Sequence, residues 1–354
     1  AIELDQVGVY AQVEKPFGET GFKAVVAARG DDHDLYGFNF VPKAGLLYTR
    51  GSGTWRLTYG KGIAAPTILN LSANIFGGLL LGNGEGFTLT DGTKIPKLDV
   101  EKIQTIEFGY KGIVSDKLYI DSNAYYNFHK DFISPLINIA DPANGNFVTH
   151  RGNQLISEIV PGTPATGAAF LLTYLNFGDV NTFGFDLGLT YFASRNLDIR
   201  LNYSYFDFNL DKNDPKNDGN RNGKVDQNDL PINAPKHKLN VAFDANKDRW
   251  FGTLGIRWVD EYDFFSGINV AAKTNPDLIY NGDPVIEGRR VGRDFNEGPL
   301  GGFVNVDVSV GYRLTNGVAV SAQLINVFDA EVREFVASPA IGRLFSAELK
   351  YTLF

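Results

Sequence analysis

The stretch from residue 301 to residue 354 narrows the possible folds more than any other part of the chain. Val304, Val306, Val308, Val310 and Tyr312 alternate strictly with Asn305, Asp307, Ser309, Gly311 and Arg313, which is the side-chain period of a β-strand. Asn316-Gly317 then turns the chain into Val318 to Phe328, because both residues tolerate the positive φ that a type I′ hairpin needs. In the last strand Phe345, Ala347, Leu349, Tyr351 and Leu353 share a face opposite Ser346, Glu348, Lys350 and Thr352. Each strand therefore has one greasy face and one wet face. The pattern predicts an all-β chain, an antiparallel transmembrane β-barrel whose apolar face meets lipid and whose polar face meets water.

The same pattern recurs along the whole chain and predicts about thirteen strands. Val7 to Phe17, Phe22 to Arg29, Pro42 to Arg50 and Trp55 to Ile63 come first, followed by Ile103 to Val114 and Leu118 to Phe132. Leu172 to Phe192, Leu197 to Phe208, Lys236 to Ala245 and Trp250 to Phe265 precede the closing hairpin. Short turns and long connections alternate. Outer-membrane barrels place short turns on the periplasmic side, so residues 66–100, 136–172, 209–235, 267–302 and 329–342 are expected outside. A soluble β-sandwich shows similar alternation. Two features favour the membrane: strands of roughly ten residues, long enough to cross a bilayer at a tilt, and aromatic residues gathered near strand ends as girdles. The girdle residues are Tyr10, Trp55, Tyr59, Tyr110, Tyr126, Tyr203, Tyr205, Trp250, Trp258, Tyr312 and Tyr351.

Composition excludes some functions. The formal net charge of -8 argues against nucleic acid as a partner, since phosphate neutralisation needs surplus Lys and Arg. No apolar run reaches the length of a membrane-spanning helix, a test that strands escape. The absence of Cys fits an oxidising compartment, and the absence of Met has no physical account. AIELDQVGVYAQ enters a strand without a signal peptide. The expectation is that one was cleaved with other material or that the chain starts part-way through a protein.

Several stretches resemble one family. Leu324-Ile325-Asn326-Val327-Phe328-Asp329, Arg333-Glu334, Pro339, Gly342-Arg343 and the aromatic terminus are similar to the closing signature of TonB-dependent outer-membrane receptors. Upstream, VGVYAQVEKPF at 7–17, Arg29-Gly30-Asp31, Pro42 to Leu46, WRLTYGKGIAAPT at 55–67, VEKIQTIEFGYKG at 100–112 and NAPKHKLN at 233–240 follow the order of that family's barrel. The resemblance implies about twenty-two strands around an N-terminal plug. This chain would then be the C-terminal portion of that barrel, with the plug, the TonB box and the first strands absent. It would also resolve the odd strand count, which leaves a parallel pair on closure. The function implied is import of a scarce or bulky nutrient, an iron chelate, cobalamin or an oligosaccharide, across the outer membrane of a Gram-negative bacterium. The implied partners are a TonB-type energy transducer acting through the missing plug, lipopolysaccharide and outer-membrane lipid, and, for an oligosaccharide importer, a surface lipoprotein. A structural or adhesive barrel within a multi-chain surface complex is the alternative.

Two local motifs bear on chemistry. DGNRNGKVDQND, residues 218–229, fits a twelve-residue calcium loop with Asp218, Asn220, Asn222, the Lys224 carbonyl, Asp226 and Asp229 as ligands and Gly223 at the sharp turn. Asp211, Asn213 and Asp214 could add oxygens, and a solvated polar turn is the competing reading. The expected cofactor is thus a structural Ca²⁺ that stiffens the loop. Arg289, Arg290 and Arg293, near Asp294 and Glu297, could attract an anionic ligand, with loop ion pairs or lipopolysaccharide phosphates as the other explanation. His33, His129, His150 and His237 lack metal-ligand spacing. No nucleophile elbow or phosphate loop is present, so no enzymatic activity is expected. Glu107, Asp121, Asp186, Asp307 and Glu348 are expected to line a wet lumen against Arg200, Arg257, Arg313 and Lys350.

Overall fold

The structure is a computed structural model. It describes residues 5–134, 136–218, 223–225, 229–230, 232, 234–262, 279–280, 283–284, 286–287, 290–291, 302–315, 317–332, 334 and 341–352. Thirteen long strands build one antiparallel sheet in chain order: β1 Gln6–Pro16, β2 Phe22–His33, β3 Gly37–Arg50, β4 Gly53–Ala64, β5 Glu101–Ser115, β6 Leu118–Lys130, β7 Val180–Ser194, β8 Leu197–Leu210, β9 His237–Lys247, β10 Trp250–Val259, β11 Phe303–Thr315, β12 Val318–Ile325 and β13 Leu344–Tyr351. Every neighbour in this wall is also the next long strand in sequence. Among the described residues β1 and β13 do not pair with each other, so the sheet is an open wall with two free edges.

Registers carry the alternation from strand to strand through the body of the wall, and shift only beside three short turns, at Leu118/Tyr119, Phe192/Ser194 and Arg313/Thr315. Trp55 pairs with Tyr110 and Leu57 with Phe108; Leu187 pairs with Tyr203 and Leu189 with Leu201; Val308 lies between Leu254 and Leu324. The apolar face stays exposed along the wall, with Val9, Leu57, Phe108, Leu349 and Phe345 all at least half accessible. An uncovered apolar surface of this extent fits contact with acyl chains. Aromatic rings border it at both ends. Near the short turns Phe22 stacks on Tyr48 at 4.5 Å, Trp55 lies 4.3 Å from Tyr110 and Trp250 meets Tyr312 edge-on at 4.8 Å. Toward the long connections Tyr126, Phe183, Tyr205, His237 and Trp258 form a row of neighbouring rings. Tyr10 is a correction to the expected girdle. It shares the polar face with Gln12 and Glu14, and its hydroxyl bonds Gln12, because the greasy side of β1 is carried by Val7, Val9 and Val13.

The opposite face is a polar lattice. Arg56 Nη2 bonds Glu107 at 3.0 Å and Asn123 at 3.1 Å, Lys111 meets Asp121 at 3.4 Å, and Arg200 donates to Asp244 at 2.7 Å. The wet-lumen residues thus lie on this face, although Arg56, Lys111 and Asp244 rather than the expected groups complete these three pairs. Small residues make room for large ones. A Cβ at Gly311 would stand 2.2 Å from the Phe251 ring, which is covered in turn by the Arg313 guanidinium at 4.8 Å.

Some boundaries differ from the sequence expectation. β2 and β3 run on to His33 and from Gly37, leaving a connection of 34–36 in place of a medium loop. Leu172 is not part of β7 but of a small sheet inside the long connection. β12 stops at Ile325 because Asn326 takes a positive φ of 54°. That buried asparagine ties the end of the wall. Its Nδ2 donates to the Ala330 carbonyl at 2.8 Å and the Ile341 carbonyl at 3.0 Å, and its Oδ1 accepts from the Ala330 amide at 2.9 Å. Asn tolerates this backbone region better than most residues, and its amide satisfies three backbone groups at once. Asn316, placed at the final turn, lies outside the described residues.

Candidate functional site

The two longest described connections, 65–100 and 131–179, fold together. One small sheet orders Ile137–Asn138, Leu172–Thr173, Leu80–Leu81 and Asn74–Ile75; a second orders Gln154–Leu155, Val148–Arg151, Phe87–Leu89 and Lys94–Ile95. Each sheet takes strands from both connections. Between them Leu81, Phe87, Leu89, Ile139, Val148, Ile156 and Leu171 form a buried cluster, each no more than 4% exposed. Burial on this scale, at about 25 cal/mol per Å² of apolar surface, supplies a small core separate from the exposed apolar face of the wall.

Buried polar side chains pin this body. Asn83 is fully buried; its Nδ2 donates to the carbonyls of Pro96 (3.0 Å) and Tyr174 (2.9 Å), and its Oδ1 accepts from the Gly86 amide at 3.1 Å. Thr173 Oγ1 donates to the Leu81 carbonyl at 2.7 Å, and Arg151 Nη2 reaches the Leu71 carbonyl at 2.8 Å. Each of these bonds links one connection to the other or closes a turn within one of them. A second cluster, Ile137, Phe177, Val180, Leu210 and Leu230, brings in the third connection, 211–236. At its foot His129 is held between Glu101 (2.8 Å) and Thr182 (3.1 Å) on neighbouring wall strands, and Glu101 also accepts from the Ile133 amide at 3.3 Å, joining the wall to the platform.

Where the three connections meet, a cleft of about 720 Å³ opens, lined by Asp91, Asp141, Asn146, Asn176, Lys216 and Asp218 among others. Its carboxylates are oriented by amides. Asn146 Nδ2 donates to Asp91 Oδ2 at 2.8 Å, and Asn144 Nδ2 to Asp141 Oδ2 at 2.7 Å. Such a cleft presents fixed acceptors and amide donors and one ammonium, a lining suited to polar ligands.

Of the calcium-loop residues, Asp218 lies at the rim of this cleft. Its Oδ2 accepts from the Gly223 amide at 2.8 Å, and Gly223 has the positive φ, 81°, expected at the sharp turn. Asp229 is buried, and Lys224 is exposed. Asn220, Asn222 and Asp226 lie outside the described residues, and among those described no cluster of three or more His, Cys, Asp or Glu forms a metal site. Asn213 and Asp211 make a local turn (2.9 Å), and Asp214 caps the amide of Lys216 (2.9 Å). Arg289 and Arg293 also lie outside the described residues. Arg290 belongs to a two-residue strand, Arg290–Val291, that pairs with Ile286–Glu287, and its side chain is not described.

A family model described as TonB dependent receptor-like, beta-barrel, matches residues 1–327. The chain belongs to that family. This TonB-dependent receptor barrel is a Gram-negative outer-membrane protein. No curated protein matches the chain. Solved structures similar to it include the siderophore receptor PirA from Pseudomonas aeruginosa, at 15% identity and a TM-score of 0.58 over 99% of this chain and 47% of that one. The ferric enterobactin receptor PfeA from Pseudomonas aeruginosa follows at 18% and 0.62, over 98% and 45%. The copper transporter OprC stands at 16% and 0.60, over 98% and 48%. At these identities the likeness shows the fold alone. The chain spans less than half the length of these solved receptors.

Two features of this receptor barrel escape a reading of the sequence: the cohesion of the platform and the Asn326 tie. The signal for the first is the apolar content of its connections, Leu79-Leu80-Leu81 and Phe170-Leu171-Leu172, which is more than a solvated loop needs.

Proposed function

We propose that this chain forms the C-terminal part of the barrel of a receptor that captures a scarce or bulky nutrient at the cell surface and imports it with energy from a TonB-type transducer. The observation that carries this reading is the prefolded platform at the end of a polar-lined wall. An adhesin or a porin has no need of a rigid cleft built from three connections, whereas capture at low concentration gains affinity from a binding surface ordered in advance. Membership of the receptor family supports a receptor rather than an enzyme. Lipopolysaccharide and lipid would meet the aromatic rows and the apolar face.

The test is genetic. Deleting the gene is expected to abolish growth on one medium among iron-limited, cobalamin-limited and glycan-only conditions, and deleting the transducer is expected to reproduce that defect. Normal growth on all three media, with impaired surface attachment, would instead establish the structural or adhesive alternative.

Residues 218–229 would bind a structural Ca²⁺, a reading supported by the Asp218–Gly223 turn and the buried Asp229. Extracellular calcium modules work on the order of 10⁻⁴–10⁻³ M. Millimolar Ca²⁺ is therefore expected to protect residues 211–236 of the full receptor from protease, EGTA to remove that protection, and Asp218→Ala to abolish the difference. An identical cleavage pattern with and without Ca²⁺ would refute the site.

A further inference from the structure

The wall carries a second cleft, of about 360 Å³ and of mixed polar and apolar lining, near the outward ends of β9, β10 and β11 and against the segment that Asn326 ties down. It is built by cross-strand pairing on the lumen face: Asn240 opposite Arg257, Arg257 opposite Asn305, and Gly255 opposite Asp307. Asn326, Val332 and Ile341 close one side. The volume lies within the range of small-molecule sites, roughly 300–1,000 Å³.

The polar groups here are held in place yet incompletely used. Arg257 Nη1 bonds Glu334 at 2.7 Å, and its guanidinium lies 4.9 Å from the centre of the Phe303 ring. That fixes the plane of the guanidinium while leaving Nε and Nη2 without a partner among the described residues. Glu334 is itself steadied, because Tyr262 donates to its carbonyl at 2.8 Å. Burial, with the Glu334 carboxylate nearby, pushes the Tyr262 phenol above its ordinary value and keeps it a donor. Asp307 Oδ1 accepts from the Asn326 amide at 2.8 Å and from Asn305 Nδ2 at 3.0 Å, and its Oδ2 has no partner among the described residues. Asn305 is 7% exposed, and its Oδ1 is buried without a hydrogen bond. Native proteins rarely leave such an acceptor unmet. The site also has an empty seat. A Cβ at Gly255 would meet nothing closer than the Asp307 carbonyl at 4.0 Å.

We propose that this cleft binds a neutral polyhydroxylated ligand of the carbohydrate class as it passes along the lumen wall, with Asn240, Arg257 and Asp307 as its hydrogen-bonding groups and Gly255 as the floor. The inference rests on the import reading above and names the substrate class. A hydroxyl both donates and accepts, so neighbouring hydroxyls match a lining in which the guanidinium donates, the carboxylate accepts and the Asn240 amide does either. Planar side chains with two polar atoms engage two adjacent hydroxyls at once. The charges point the same way. The lining holds one guanidinium and one carboxylate, Arg257 and Asp307, and Glu334 already pairs with that guanidinium, so no uncompensated positive charge is left to hold an anionic ferric chelate.

The test uses the full-length receptor in detergent with two probe sets: fluorescent neutral oligosaccharides of two to six sugars, and anionic ferric catecholate chelates. Gly255→Leu fills the floor, and Asn240→Ala removes an amide that no described group needs. Each is expected to weaken binding of the retained oligosaccharide at least tenfold while the thermal transition of the receptor stays unchanged. Oligosaccharide binding that both variants leave intact would overturn the lumen cleft and leave import standing. Binding of ferric chelates with no binding of any neutral sugar would overturn the ligand class and still leave import standing. Failure to bind either set, with no growth defect in the deletion strain, would remove the import reading as well.

Discussion

Phe87→Ala is expected to open both long connections of the platform at once while leaving the barrel wall folded. Phe87 is 2% exposed and sits in the strand that joins the two connections, facing Arg151 on one side and Ile95 on the other. Removing a buried phenylalanine costs about 3–5 kcal/mol, a large fraction of what a small core can supply. Limited proteolysis of the full receptor should reveal new cuts in both 65–100 and 131–179, at protease levels that spare the wild type. The transition of the wall on heating should stay where it was. Leu79→Ala, at a position 49% exposed, is the control and should cut like the wild type. Cleavage confined to 65–100 would show that the two connections fold separately.

Val308→Arg should destabilise the wall by about 2–4 kcal/mol, the effect of a cation on the lipid face near the bilayer midplane. Val308 is near the middle of β11, flanked by Leu254 and Leu324. Its neighbour Ser309 points to the other face between Thr253 and Gln323, and Ser309→Arg should change stability by less than about 1 kcal/mol, as a polar lumen tolerates charge. Denaturant unfolding in lipid vesicles reads both. Equal losses, or a larger loss from Ser309→Arg, would mean that the apolar face does not meet lipid.

The wall was legible in the sequence because a period of two leaves no freedom. Once Val304, Val306 and Val308 must share a face, register across the sheet follows, and a slip of one residue would expose every polar partner to lipid. Tyr10 shows the limit of reading residue type alone. An aromatic near a strand end marks a girdle only if its parity matches the greasy face, and on β1 the valines hold that face. The connections were far less legible. Their strands are two to four residues long, too short to display a period, and they pair across gaps of about sixty to ninety residues, as Thr88 with His150 and Leu80 with Leu172. The lumen cleft was half visible. Asp307 and Arg257 stand out as inward charges, but only the pairing of Gly255 with Asp307 and the fold-back at Asn326 shows that they border one space.

The intertwining of residues 65–100 with 131–179 bears on how these connections could be transplanted or diverge. Moving either segment alone into a relative would strand half of each miniature sheet and leave Leu81 or Leu171 against a foreign surface. The exchangeable unit is therefore the pair, and chimaeras that keep the native couple intact are the ones that can swap these connections without losing shape.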